Sequence, residues 1–269
     1  MGLERITAAF ERPGPLLSMW TAVGFPYRDS AVSVCGALIR AGAGMIELGI
    51  PYSDPLADGP TIQAVNARAL ENGAGVALAF EQLPAIRVVV GEAPVLVMGY
   101  VNPMMQYGYE CFLRDLKGAG GDGIIMPDLP LSEYRRQVQP LLEELDLGFI
   151  GLVTMDSPDE RVREIDALSR GFVYAVSSRA VTGGAWGSDP ERVAFLKRLR
   201  DLKLSNRVMV GFGIDGREAF ESVISQADGA IIASAFVRRL LEPQNQQNAP
   251  ACAEQFVSEI LGRAHDCPA

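Results

Sequence analysis

The strongest constraint on this chain is a rhythm. Eight short apolar stretches, near residues 16–23, 45–50, 95–100, 123–126, 149–153, 172–177, 207–212 and 229–233, are each followed by residues with helical spacing. Val95-Leu96-Val97-Met98 is typical: its apolar residues are continuous, as in strands buried on both faces. Strands that alternate with helices need crossover connections and so form a parallel sheet. An open, doubly wound sheet is the rival arrangement. Eight evenly spaced units without a linker favour closure into a single α/β domain, a (β/α)8 TIM barrel, over all 269 residues. The first 13 residues form an extra amphipathic helix, with Leu3, Ile6 and Phe10 on one face, suited to plugging the barrel's bottom. A short helix over 235–241 follows the eighth strand. Residues 101–107 and 243–250 read as loops, and a polar tail begins at about 265.

Composition narrows the function. Hydrophobic residues make up 48% of the chain and charged residues 21%, which supports a sizeable core. A net charge of -9 disfavours nucleic-acid binding, because phosphate backbones demand a basic surface. No apolar run approaches the ~20 residues of a membrane span, and residues 1–5 open no secretory leader. A cytoplasmic location is therefore expected. Cys35, Cys111, Cys252 and Cys267 are scattered, with no CxxC pair, as thiols of a reducing compartment would be. His265, the only histidine, lies in the tail, which leaves no material for a histidine-based triad or zinc site.

In such a barrel the chemistry sits at the C-terminal ends of the strands. The stretch 45–63, MIELGIPYSDPLADGPTIQ, carries the densest signal there. Glu47 stands inside an apolar strand, where a carboxylate must be paired, neutralised or used. An internal ion pair and a catalytic acid are both open readings. Asp54 and Asp58 follow in a turn-rich loop, where Asp next to Pro or Gly also serves turns. Tyr100, Asn102, Asp128, Tyr174, Gly183 and Gly184 fall at or after other strand ends. Glu47, Asp54, Asp58 and Asp128 offer the oxygens a Mg²⁺ ion takes, but nothing in their spacing demands one, and no metal is assigned. Phosphate sites in barrels use the loops after the last two strands. Here these are Gly211-Phe212-Gly213 and Ala233-Ser234 before the short helix, whose free amides suit an anion on an acidic protein.

These residues resemble one family strongly. Residues 47–63 are similar, nearly position for position, to the signature of the tryptophan synthase alpha subunit, and Tyr100-Val101-Asn102-Pro103, Asp128-Leu129-Pro130, Val181-Thr182-Gly183 and Gly211-Phe212-Gly213 echo it elsewhere. The resemblance runs from about residue 5 to residue 264. It implies a (β/α)8 lyase that cleaves indole-3-glycerol phosphate to indole and glyceraldehyde 3-phosphate by retro-aldol chemistry, with no cofactor of its own. It further implies Glu47 as general acid/base, Asp58 as partner of the indole N–H, and Tyr174, eight residues before Thr182, as an active-site tyrosine. Trp20, Ile62, Met98, Tyr100 and Phe212 would line the indole pocket. Gly183, Gly213, Ala233 and Ser234 would hold the phosphate. The implied partner is a beta subunit carrying pyridoxal phosphate, in an alpha2beta2 heterotetramer. Its interface would involve the loop with Asp54 and the loops near Asn102 and Pro130. A stand-alone lyase and a non-catalytic activator of the beta subunit are the alternatives, and the presence of both Glu47 and Asp58 argues against the second.

Four positions depart from the family pattern. Phe25 replaces an Asp between Gly and Pro, Trp20 a smaller aromatic residue, and Ala180 and Ala233 glycines. Strain is expected at Ala180 if its φ is positive, with altered closure of the loop over 179–189. Crowding of the phosphate is expected at Ala233.

Overall fold

The computed structural model describes residues 2–177, 189–211 and 213–263. Nine parallel strands form one sheet: β1 Leu16–Ala22, β2 Met45–Gly49, β3 Val95–Met98, β4 Gly123–Ile125, β5 Gly148–Phe149, β6 Gly151–Thr154, β7 Phe172–Val176, β8 Arg207–Gly211 and β9 Gly229–Ile232. The first strand pairs with both the second and the last, Ser18 lying opposite Met45 on one side and Ile231 on the other. The two ends of the sheet are β5 and β6, separated only by Ile150. They are halves of one broken stave: β5 pairs with β4 and β6 with β7. The sheet therefore wraps into an eight-stave barrel, the closure that the sequence rhythm favours, and the open doubly wound arrangement is ruled out.

Helices α1 Gly2–Glu11, α2 Ser30–Ala41, α3 Pro60–Glu71, α4 Val76–Val90 and α5 Val101–Tyr107 alternate with or flank the first staves. Two expected loops are helical. Residues 101–107 form α5, because Pro103 sits in the first turn, where its missing N–H is no loss. Pro243–Gln246 makes one turn, and the last helix starts at Ala249, also with a proline in its first turn. The helix after the last strand begins at Ser234 rather than 235.

Two hydrophobic layers result. The larger lies between the strands and the helices. The smaller fills the barrel with Leu16, Met45, Leu96, Ile125, Ile150, Phe172, Tyr174, Met209 and Ile231, and α1 closes it from below with Ile6. Arg5 of α1 reaches Asp122, just before β4, at 2.9 Å. Arg87 of α4 and the backbone N–H of Val95 donate to the other carboxylate oxygen. Burial pushes the Asp122 carboxyl up, and two guanidiniums and an amide oppose the rise.

Near the top, two aromatic rings fit only because glycines stand beside them. A Cβ on Gly49 would overlap the Trp20 ring, and one on Gly211 would overlap Tyr174. The bulky Trp20 is thus accommodated by the neighbouring stave. Gly49→Ala is expected to cost about 1–3 kcal/mol in denaturant unfolding, and Trp20→Phe in the same chain should recover most of it. An unchanged midpoint for Gly49→Ala alone would contradict this packing.

Candidate active site

The inward face of β2 carries Met45, Glu47 and Gly49, because side chains alternate along a strand. Glu47 lies opposite Trp20 of β1 and Leu96 of β3. It is fully buried. Its Oε1 accepts a hydrogen bond from the Ser18 hydroxyl at 3.1 Å, and its Oε2 has no partner. No ion pair to Glu47 forms among the described residues, so the internal salt-bridge reading of this acid fails. Burial pushes its carboxyl up to about 8, with the Ser18 hydrogen bond opposing. The acid is neutralised by holding its proton.

Asp58 reaches the same region from the loop after β2. Its backbone N–H closes a turn onto the Pro55 carbonyl at 3.0 Å, and its own carbonyl accepts from the Gln63 side chain. Its carboxylate accepts a 2.8 Å hydrogen bond from the Tyr100 hydroxyl, which in turn accepts from the Ala57 N–H. Asp58 is less polar in setting than a loop position suggests: burial raises its pKa, and Tyr100 opposes the rise by stabilising the ion. Tyr174, from β7, is buried, and its hydroxyl is kept protonated by burial and then by the charges of Glu47 and Asp58. The three candidate catalytic residues thus converge from β2, its loop and β7.

Trp20, Ile62 and Tyr100 are buried and Met98 half-buried around this acid pair. Trp20 shares a rung with Glu47, Met98 a rung with Gly49, and Ile62 lies in the first turn of α3. Tyr100 is more than a pocket wall, since its hydroxyl ties the loop of β2 to that of β3. Two further ties escaped the sequence reading. Asn102 donates to the Tyr52 hydroxyl at 3.1 Å, and Asn66 of α3 accepts from the Tyr52 N–H while donating to the Ile62 carbonyl. Asp128 accepts from the Val101 N–H at the start of α5. Asp54 is exposed in the loop after β2 and accepts a hydrogen bond from the Ser53 hydroxyl. Among the described residues no three His, Cys, Asp or Glu side chains gather as a metal site would need.

On the same rim, after β8, Gly213 has a φ of +74°, a conformation glycine adopts without penalty. Ser234 opens the eight-residue helix Ser234–Leu241. Ala233 caps it at φ -122°, away from the positive-φ region that would call for glycine. The sequence reading also missed Arg192. Asp189, at the cap of helix Pro190–Asp201, pairs with its guanidinium at 3.2 Å. That guanidinium packs against Gly213, within 3.4 Å of where a Cβ would stand. A buried cation thus sits beside the candidate phosphate loop. Gly183, Phe212 and Ala180 lie outside the described residues.

Comparison with known proteins identifies the family. The sequence pattern of the family described as "Tryptophan synthase alpha chain" matches residues 10–264. The tryptophan synthase alpha chain of Flavobacterium psychrophilum is 40% identical over 259 residues, 96% of this chain and 100% of that one. That of Christiangramia forsetii is 42% identical over 258 residues, 96% of this chain and 98% of that one. Among solved structures, tryptophan synthase subunit alpha from Legionella pneumophila superposes with a TM-score of 0.86 at 31% identity, covering 95% of this chain and 96% of that one. Tryptophan synthase from M. tuberculosis, in its aminoacrylate-bound form, gives 0.83 at 32% identity, covering 95% and 97%. The chain belongs to the tryptophan synthase alpha chain family, the lyases that cleave indole-3-glycerol phosphate.

Proposed function

We propose that Glu47 carries both proton transfers of the cleavage. The observation behind this is a fully buried carboxyl with no counter-charge and one free oxygen, beside Asp58 and Tyr174. As the neutral acid, Glu47 gives its proton to indole C3. The C3 centre becomes tetrahedral and the ring nitrogen takes up positive charge. Asp58, as the carboxylate that accepts from Tyr100, also accepts the indole N–H and stabilises that charge. The Glu47 carboxylate then takes the proton of the glycerol hydroxyl, the adjacent C–C bond breaks, and its electrons return to the indole. Indole and glyceraldehyde 3-phosphate leave, and Glu47 is again neutral. A carboxyl titrating near the working pH suits both directions of transfer.

Trp20, Ile62, Met98, Tyr100 and Phe212 enclose the indole in this reading, and Tyr174 supplies a neutral hydroxyl beside the reacting atoms. The phosphate rests on Gly183, Gly213, Ala233 and Ser234, with the positive end of helix Ser234–Leu241 beside it. The guanidinium of Arg192, paired with Asp189, stands next to Gly213. An alpha chain implies a beta-subunit partner, here placed on the rim stitched together by Tyr52, Asn102, Asp128 and Asp58, where Leu56 is 92% exposed. The partner would bring pyridoxal phosphate, the assembly would be an alpha2beta2 heterotetramer, and the whole chain would work as one barrel domain in the cytoplasm.

Two measurements test this. Indole release by the purified chain, alone and with a beta subunit, should fall at least about 10²-fold in Glu47→Gln; unchanged release would remove Glu47 from the mechanism and favour a non-catalytic role. Stability should move the other way. Glu47 is pushed up to about 8 in the folded chain against an ordinary 4.5, so its pH-dependent cost is absent below 4.5 and grows as pH rises toward 8. Glu47→Gln should therefore be more stable than the parent by on the order of 3 kcal/mol at pH 7 and equal to it near pH 4, by denaturant unfolding. A variant no more stable at pH 7 than at pH 4, relative to the parent, would show that the acid is not held neutral by burial.

A further inference from the structure

Ser18 is a polar residue in an otherwise apolar inward layer. Side chains alternate along β1, so Leu16, Ser18 and Trp20 face the barrel interior while Leu17 and Met19 face the helices. Ser18 lies between Met45 and Ile231, and it is fully buried. A hydroxyl there is costly unless it is hydrogen-bonded. It donates to Glu47 Oε1 at 3.1 Å, while Oε2 has no partner. The titratable groups facing Glu47 are Tyr174 from β7 and, beyond it, Asp58 from the loop after β2. No cation pairs with it among the described residues.

A neutral carboxyl has one carbonyl oxygen, which only accepts, and one hydroxyl oxygen, which bears the proton. A donor aimed at Oε1 makes that oxygen the carbonyl. The proton is then confined to Oε2, the oxygen left for substrate. We propose that Ser18 is a positioning residue of the reaction, fixing which oxygen of Glu47 carries the transferable proton and which way the carboxyl faces. This rests on Glu47 being the proton carrier. The same hydrogen bond persists after transfer, when Oε1 belongs to a carboxylate, and there it favours the ion. Ser18 therefore limits how far burial raises the carboxyl, keeping the acid able both to give and to regain its proton.

The test compares Ser18→Ala, Ser18→Cys and Glu47→Gln with the parent chain, each with its beta subunit for kinetics. Ser18→Ala should lower kcat on the order of tenfold through lost orientation. It should also move the alkaline limb of kcat/KM upward by on the order of one pH unit, because a donor to the charged form is gone. In infrared difference spectra taken below that limb, the carbonyl stretch of neutral Glu47, identified by its absence from Glu47→Gln, should rise in frequency. Ser18→Cys, with a weaker donor, should fall between, and it supplies the comparison if the alanine variant does not fold. If the stretch or the alkaline limb stays at its parental position while Glu47→Gln is inactive, Ser18 does not position the acid and the proposal is overturned, although catalysis by Glu47 stands. If Glu47→Gln releases indole at the parental rate, the reading of Glu47 itself has failed.

Discussion

One carboxyl buried without a counter-charge governs this site. The barrel contains a second buried acid for contrast. Asp122, at the bottom, is surrounded by Arg5, Arg87 and the Val95 amide, and there it fastens α1 and α4 to the strands. Glu47, near the top, has only the Ser18 hydroxyl. Both are fully buried, and the difference in partners sets the difference in use. A carboxylate with two guanidiniums is a structural tie. A carboxyl with one neutral donor and a free oxygen keeps its proton until something arrives to take it.

The rest of the upper barrel supports that arrangement. Gly49 and Gly211 leave room for the Trp20 and Tyr174 rings, which make the surroundings of Glu47 apolar and keep its pKa high. Asp58 is treated differently. It is half-buried, and Tyr100 donates to it, so burial and hydrogen bonding oppose each other. Burial raises both acids from this stretch of chain, and one hydroxyl opposes the rise at each, but Glu47 is fully buried and pushed up to about 8 while Asp58 is only partly buried. Unequal burial of this kind assigns the roles of acid and charge stabiliser. The Tyr100 hydroxyl also joins the loops after β2 and β3, so the group that tunes Asp58 belongs to the exposed rim proposed for the partner.

Much of this was legible in the sequence. Short apolar runs alternating with helical spacing required a parallel sheet, and eight of them favoured closure. An acid at position 47, two residues into an otherwise apolar run, marked the site. The signature over 47–63 pointed to the chemistry through resemblance. Contacts without a local pattern could not be read. Tyr100 and Asp58 are 42 residues apart, Ser18 and Glu47 are 29, and Asn102 and Tyr52 are 50. Arg192 gave no signal either, since a cation in a helix usually faces water; only the fold sets it against Gly213. The helix at 101–107, expected as a loop, has a local cause. Asn102-Pro103 looks like a turn, yet proline is equally at home in the first turn of a helix, and the residues after it decide between the two.

The central claim is that Glu47 is a neutral acid in the resting protein. Its most direct test is a carbon-13 NMR titration of the chain with labelled glutamate carboxyls, the Glu47 signal being assigned by its loss in Glu47→Gln. The structure calls for a midpoint of about 8, far from the ordinary 4.5. A Glu47 signal that titrates in the ordinary carboxylate range would mean that the buried acid is ionised at neutral pH, and the account of the site would be wrong.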